Sequence, residues 1–373
     1  MRFADIPGLS DIKTNLVRSV HENKIPHAQL LAGRDGSVNL PLALAYTTFL
    51  HCQNRQADDA CGTCAACSKS LKYIHPDTHF VFPYSNVDND KDEERLKAEL
   101  LKSWRQFLTE QPFGNIEDWT AFHGSEDKQV LISREESREI IRSLALKPFE
   151  SRFKVMLIWQ PEYMHPAAAN GILKILEEPS SFTIFLLVSN ADERLLPTII
   201  SRTQRVTVPL LPDDEVKTFL APRVDAGRLS GLVQLAEGNL NRGLQLIDRE
   251  DNPTTEKFIQ WMRACFKRDA IQLLTMADDF HAADKMEKRN MLTVALTMMR
   301  ESLVHLSEAP LLRVQGNDLK FVQDFSKVLN VPKIEKATHL LNEAYFHLER
   351  NGSAKMIFMD LSLQLSGLLK ASR

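Results

Sequence analysis

The sequence predicts an α/β domain built on a parallel sheet, followed by an all-α C-terminal region. Three observations carry this prediction. Lys154–Trp159 (KVMLIW) and Phe182–Val188 (FTIFLLV) are near-continuous apolar runs of strand length, as in strands buried on both faces of a parallel sheet. Between them Pro166 starts a helical pattern through Ala167, Ala168, Ala169, Ile172, Leu173, Ile175 and Leu176, which implies a right-handed crossover in a doubly wound sheet. Beyond Asp213 the strand signals stop, and after Asn252-Pro253 apolar residues recur only at helical spacing.

At 373 residues the chain exceeds one ordinary core, so two or three domains are expected, with boundaries near 210 and 252. Lys and Arg total 46 against 49 Asp and Glu, and a net charge of −3 gives no general attraction to nucleic acid or anionic membrane. No apolar run approaches the ~20 residues of a membrane helix. Met1–Pro7 carries no signal-peptide pattern, so a reducing, cytoplasmic setting is expected.

The elements follow in order. Leu9, Ile12, Leu16, Val17 and Val20 recur at helical spacing, and Pro26 ends that helix ahead of a strand at Leu30–Ala32. A helix is expected over Leu40–Leu50 and a second strand over Thr78–Pro83, around Phe80 and Phe82. Residues 84–130 are too long for a connecting loop and read as an insertion. It holds an acidic lead-in and an amphipathic helix with Leu96, Leu100, Leu101, Trp104, Phe107 and Leu108 on one side. That face either packs on its own domain or docks a partner. Ser133 and Glu136 form a capping-box pattern for a helix carrying Ile140, Ile141, Leu144 and Leu146. Val206–Val208 is a short further strand, and Asp213–Leu220 and Leu232–Ile247 are short helices. The tail reads as helices at Phe258–Phe266, Ala270–Met276, Met286–Leu306, Leu319–Leu329, Ile334–Leu348 and Met356–Leu369.

Two stretches carry chemistry. Cys52, Cys61, Cys64 and Cys67 give C-x8-C-x2-C-x2-C, a spacing that lets four thiolates converge on one tetrahedral Zn²⁺. A disulfide framework is the rival reading, and a reducing compartment weighs against it. Four protein ligands leave no open position, so such a zinc is structural. Lys69 and Lys72 nearby are too few to make a nucleic-acid surface. Cys265 lies among Phe258, Ile259, Trp261, Met262 and Phe266, as a buried apolar thiol does. The other stretch, Gly33–Leu40, stands between a strand and a helix, where a phosphate-binding loop G-x-x-x-x-G-K-[S/T] would stand. Here Val38 replaces the second Gly, Asn39 the Lys and Leu40 the hydroxyl. Read alone, it is an ordinary strand-to-helix turn.

The run from Asn170 to Val208, NGILKILEEPSSFTIFLLVSNADERLLPTIISRTQRVTV, resembles the core of bacterial clamp-loader proteins of the AAA+ family. Their pattern is N-[A/G]-L-L-K-x-L-E-E-P-P, a strand, then L-L-P-T-[I/L]-x-S-R-[C/T]. Among those subunits the chain is most similar to the delta-prime type of DNA polymerase III. The resemblance is close over Asp5–Phe82 and Ser133–Ile247, weak in the helical tail and absent over 84–130.

The resemblance implies an AAA+ α/β domain over 1–210, with a zinc module at about 52–67 and the insertion at about 84–130. It further implies a small helical lid over 211–252 and a helical collar over 253–373 that joins five subunits in a ring. The partners implied are delta, the gamma or tau ATPases, the sliding clamp and primer-template DNA. The cysteine spacing matches the family's zinc module. Gly33, Gly36 and Asn39 fall at the family's P-loop. The family's acidic pair, whose Asp helps hold Mg²⁺ and whose Glu polarises water, falls on Trp159 and Gln160, with Glu162 two residues late. ATP is therefore expected on partner subunits and not on this chain.

Arg202, in Ser201-Arg202-Thr203, matches the motif whose arginine projects toward the ATP of a neighbouring subunit; Thr203 replaces the usual Cys. A guanidinium fork suits that role, since it binds phosphate oxygens and stabilises charge built up in phosphoryl transfer. Asn190 and Arg242 fall near the two sensor positions, and Glu177 and Glu178 read as structural carboxylates closing a helix. The function expected is a clamp-loader subunit that does not hydrolyse ATP and lends Arg202 in trans. The alternative is an active ATPase with an atypical site, and turnover by the isolated chain discriminates the two.

Overall fold

The computed structural model describes residues 1–85, 93–125, 130–136, 140, 147–178, 182–247, 253–283, 285–307, 312, 314, 316–350 and 352–370. The chain divides into two compact units, Met1–Ile247 and Asp248–Arg373.

The first unit is organised by five strands: β1 (Ala28–Gly33), β2 (Thr78–Val81), β3 (Lys154–Trp159), β4 (Thr183–Ser189) and β5 (Gln204–Val208). They form one sheet in the order β2-β3-β4-β1-β5, every pair parallel. Register follows burial. Leu30, Ala32, Met156, Ile158, Phe185 and Leu187 face one core, and Leu31, Val155, Leu157, Ile184, Leu186 and Val188 face the other. Alternation on two buried faces is why these strands read as continuous apolar runs.

On one face lies α6 (Pro166–Glu177), whose Ala168, Ile172 and Leu176 pack on the sheet. On the other lies α2 (Asn39–His51), every residue of which is buried, as its apolar circumference requires. Helix α1 (Ser10–His21) adds Leu16, Val17 and Val20 to the same core, and α3 (Ala65–Ser70) carries the last cysteine of the cluster.

The insertion forms α4 (Glu93–Glu110) and α5 (Ile116–Phe122) and belongs to this core. Trp104, Phe107, Leu108 and Trp119 are fully buried. Trp104 stacks on Phe82 at 4.4 Å and lies 4.9 Å from Trp159. The apolar side of α4 is thus covered by its own domain. Of the helix expected after Ser133, residues 134–136 are helical and Glu136 N–H donates to Ser133 Oγ at 3.3 Å; Ile141, Leu144 and Leu146 lie outside the described residues. Helices α7 (Pro197–Ile200), α8 (Asp213–Leu220), α9 (Ala226–Ala236) and α10 (Leu240–Ile247) complete the unit. Gly238, at φ +81°, makes the turn before α10, where a Cβ would stand 2.5 Å from the Leu211 carbonyl.

The second unit is helical among its described residues: α11 (Pro253–Lys267), α12 (Ala270–Ala282), α13 (Lys285–Leu306), α14 (Gly316–Ser326), α15 (Val331–Glu349) and α16 (Ala354–Lys370). Trp261 stacks on Phe358 at 4.8 Å and donates its Nε1–H to Ser362 Oγ at 2.8 Å. Cys265 is buried beside them, and burial pushes its thiol up to about 12, as expected of an inert core cysteine. No described helix is long and apolar enough to cross a membrane.

Candidate functional site

The loop after β1 is closed by a backbone turn and by a side chain from outside it. Ser37 N–H donates to Arg34 O at 2.9 Å, which makes a tight turn. Gly36 has φ +86°, and the Asn239 amide sits so close that a Cβ there would lie 2.3 Å from it. Asn39, buried at the start of α2, donates from Nδ2 to Ser189 O at 2.9 Å and to Asn190 Oδ1 at 2.7 Å. A lysine at this position would reach for phosphate; the shorter neutral amide ties α2 to the end of β4 instead.

The end of β3 and the turn after it are likewise occupied by protein contacts. Trp159 is buried in the aromatic cluster with Trp104 and Phe107. Gln160 takes a left-handed backbone (φ 55°) and donates its N–H to Val188 O at 2.8 Å. Glu162 is the nearest carboxylate, and it accepts the N–H groups of Asn190 (3.0 Å) and Ala191 (3.1 Å). Burial pushes it above the usual carboxylate range. It holds the end of β4. Arg242 lies 3.6 Å from Glu237, so the arginine is salt-bridged.

Arg202 follows α7 at the surface. Its Nε donates to Glu177 Oε1 at 2.8 Å, its Nη2 donates to the same oxygen, and its Nη1 donates to Thr198 O at 2.9 Å. The guanidinium is therefore aimed by a carboxylate from the LEEP segment. Sequence reasoning treated Glu177 only as a helix-closing group; nothing in a spacing of 25 residues signals the pair.

The four cysteines converge. All four Sγ atoms lie within 4.8 Å of one another, with Cys52–Cys61 at 3.6 Å and Cys61–Cys67 at 3.9 Å. A tetrahedron with Zn–S of about 2.3 Å has edges of about 3.8 Å, so the donor set fits zinc. Cys52 ends α2 and Cys64 caps α3, whose Cys67 N–H donates to Cys64 Sγ at 3.4 Å. Gly62, at φ +74°, turns the chain between them. Backbone N–H groups of Thr63 and Cys64 pull Cys61 down to about 6, whereas burial pushes Cys52 and Cys67 up. A cation is what would let the buried pair ionise. Lys69 is paired with Glu150 at 2.5 Å rather than free for a nucleic acid.

A family model described as DNA polymerase III, delta subunit, matches residues 8–212, more than half of the chain. The chain belongs to this family. The LEEP and Ser201-Arg202-Thr203 segments both lie within the matched residues. DNA polymerase III subunit delta' of Pseudomonas aeruginosa is 30% identical over 184 residues, 49% of this chain and 43% of the relative. Subunit tau/gamma of Haemophilus influenzae is 25% identical over 255 residues, 66% of this chain and 30% of the relative. The chain thus spans less than half the length of these two relatives. Among solved structures, a DNA polymerase III gamma subunit-related protein from Thermotoga maritima is 15% identical with a TM-score of 0.44, over 96% of this chain and 99% of that one.

Asp118 accepts from Asn241 and Gln245, and its cap residue Asn115 reaches Asp35 of the loop after β1; none of these is singled out from the sequence. The one signal available was Asn115-x-x-Asp118, a capping-box pattern ahead of α5.

Proposed function

We propose that this clamp-loader subunit is of the delta-prime type and does not hydrolyse ATP itself. The observation that carries this reading is the state of one face: Asn39 bonds to β4 where a lysine would meet phosphate, and Trp159 sits in an aromatic core where an acid would hold Mg²⁺. Both a phosphate clamp and a metal ligand are missing from the same place. Arg202 remains exposed enough to serve another subunit, and Glu177 and Thr198 orient its fork. In this reading Arg202 reaches ATP held by a neighbouring gamma or tau subunit. With delta, the ring then opens the sliding clamp and places it on primer-template DNA. Residues 211–252 act as lid, 253–373 as collar, and Cys52, Cys61, Cys64 and Cys67 hold a structural zinc.

The test is reconstitution with the partner ATPase subunits, delta, clamp and primed DNA, comparing wild type with Arg202→Ala. Assembly by gel filtration is expected to hold while stimulated hydrolysis falls by about 1000-fold at the affected site, the lower end for an arginine finger. An intact ring with unchanged hydrolysis would overturn the in-trans role. Turnover by the isolated wild-type chain would favour the active-ATPase alternative.

A further inference from the structure

The insertion does more than thicken the core. Its helix α5 starts in a reciprocal cap: Asn115 Oδ1 accepts from Glu117 N and Asp118 N at 3.0 Å each, and Asp118 Oδ2 accepts from Asn115 N at 2.8 Å. The buried Asp118 carboxylate then takes two further donors from α10, Asn241 Nδ2 at 2.6 Å and Gln245 Nε2 at 2.9 Å. Asn241 and Gln245 are four apart, so both amides leave one face of that helix. On its other side the same cap reaches the loop after β1, with Asn115 Nδ2 donating to Asp35 Oδ1 at 3.4 Å. Phe113 meets Phe219 of α8 edge-on at 5.3 Å. Trp119 anchors the helix by donating Nε1–H to Pro83 O at 2.8 Å and by packing on Trp104 and Phe82.

We propose that residues 113–119 of the insertion are an internal brace, in which Asp118 and its cap pin α8–α10 to the α/β core and so fix their position without any nucleotide. The brace links three places that have no covalent neighbourhood: the loop at Asp35, the end of β2 at Pro83, and the helices at Phe219, Asn241 and Gln245. A buried carboxylate with donors from two elements is a demanding contact. Removing one side leaves the other unsatisfied, so the joint holds or fails as a unit. The inference stands apart from whether Arg202 acts in trans.

Hydrogen exchange of the full chain, read by mass spectrometry with and without 1 mM Mg-ATP (about that concentration, well above a typical micromolar Kd), tests it. Wild type is expected to show the same slow exchange over 213–247 in both conditions. Asp118→Ala is expected to speed exchange across 213–247 by about 10-fold or more, the scale of losing hydrogen bonds to a charged group. Peptides of the second unit should not change. The pair Asn241→Ala and Gln245→Ala, at half-buried positions outside the insertion, should give the same pattern with the insertion's own protection intact, and it reads the joint even where Asp118→Ala fails to fold. Unchanged exchange over 213–247 in the double variant would overturn the proposal, as would strong added protection of wild type by Mg-ATP.

Discussion

The loop at Gly33–Leu40 and the cysteine cluster at Cys52–Cys67 flank the same helix, α2, yet their chemistry has met opposite ends. At the N-terminal end, the loop is a packing joint, with Asn239 against Gly36 and Asn39 bonded to Ser189 and Asn190. At the C-terminal end, four donors remain within reach of one ion. The difference teaches what each kind of site asks of the fold. A structural metal is held by one short stretch and serves folding directly, so its ligands are useful in every state of the chain. A nucleotide site needs groups from several elements and serves only a reaction. Once the reaction is lost, its buried polar positions are most stable when satisfied by protein.

That contrast can be broken from either end. The largest effect is expected at the metal. Purified chain should carry one zinc, and Cys61→Ser, or treatment with a strong chelator, should remove it and lower stability by several kcal/mol, a part of the roughly 10–16 kcal/mol that zinc gives isolated fingers. Metal analysis and thermal melts check this, and full stability without zinc would contradict it. Next comes the aromatic core around Trp159: Trp104→Ala should cost about 3–5 kcal/mol in urea unfolding, since Trp104 touches Phe82, Phe107, Trp119 and Trp159. A third variant sharpens the comparison. Asn39→Lys supplies the lysine of a phosphate-binding loop but buries an ammonium where Asn39 now bonds to Ser189 and Asn190. It should lose about 2–4 kcal/mol and gain no ATPase.

The smallest effect is a pH dependence at Glu162. Its folded pKa is raised by burial, so the folded state binds the proton more tightly than the unfolded chain does. Its contribution to stability is therefore present at low pH and lost as pH rises through the raised value. Glu162→Gln keeps a carbonyl for the Asn190 and Ala191 N–H groups without that loss. The stability of this variant relative to wild type should be greater at pH 7 than near pH 4, as read from paired denaturation curves; a pH-independent difference would contradict the assignment.

Much of this was legible in the sequence, and the rest has a physical reason for being hidden. KVMLIW is the strand Lys154–Trp159 to the residue, because a strand buried on both faces needs apolar side chains at every position. The cysteine spacing was readable because the ligands are local. The strand at Gln204–Val208 began two residues earlier than Val206 suggested, since exposed Gln204 and Arg205 pair with Gln29 and Leu30 without an apolar signal. The Arg202–Glu177 and Asp118–Asn241 contacts join residues 25 and 123 positions apart, and periodicity carries no information at that range. The insertion's Trp104 was visible as an apolar residue, but its meeting with Trp119 and Trp159 depends on the tertiary fold.

The central claim is that the loop at Gly33 takes no nucleotide and this chain performs no hydrolysis. The most direct measurement is titration of the purified full chain with Mg-ATP by calorimetry, paired with a phosphate-release assay. The account predicts no saturable binding up to a Kd of about 1 mM and no phosphate release above background. Micromolar binding with steady turnover would contradict it and return the chain to the active ATPases of its family.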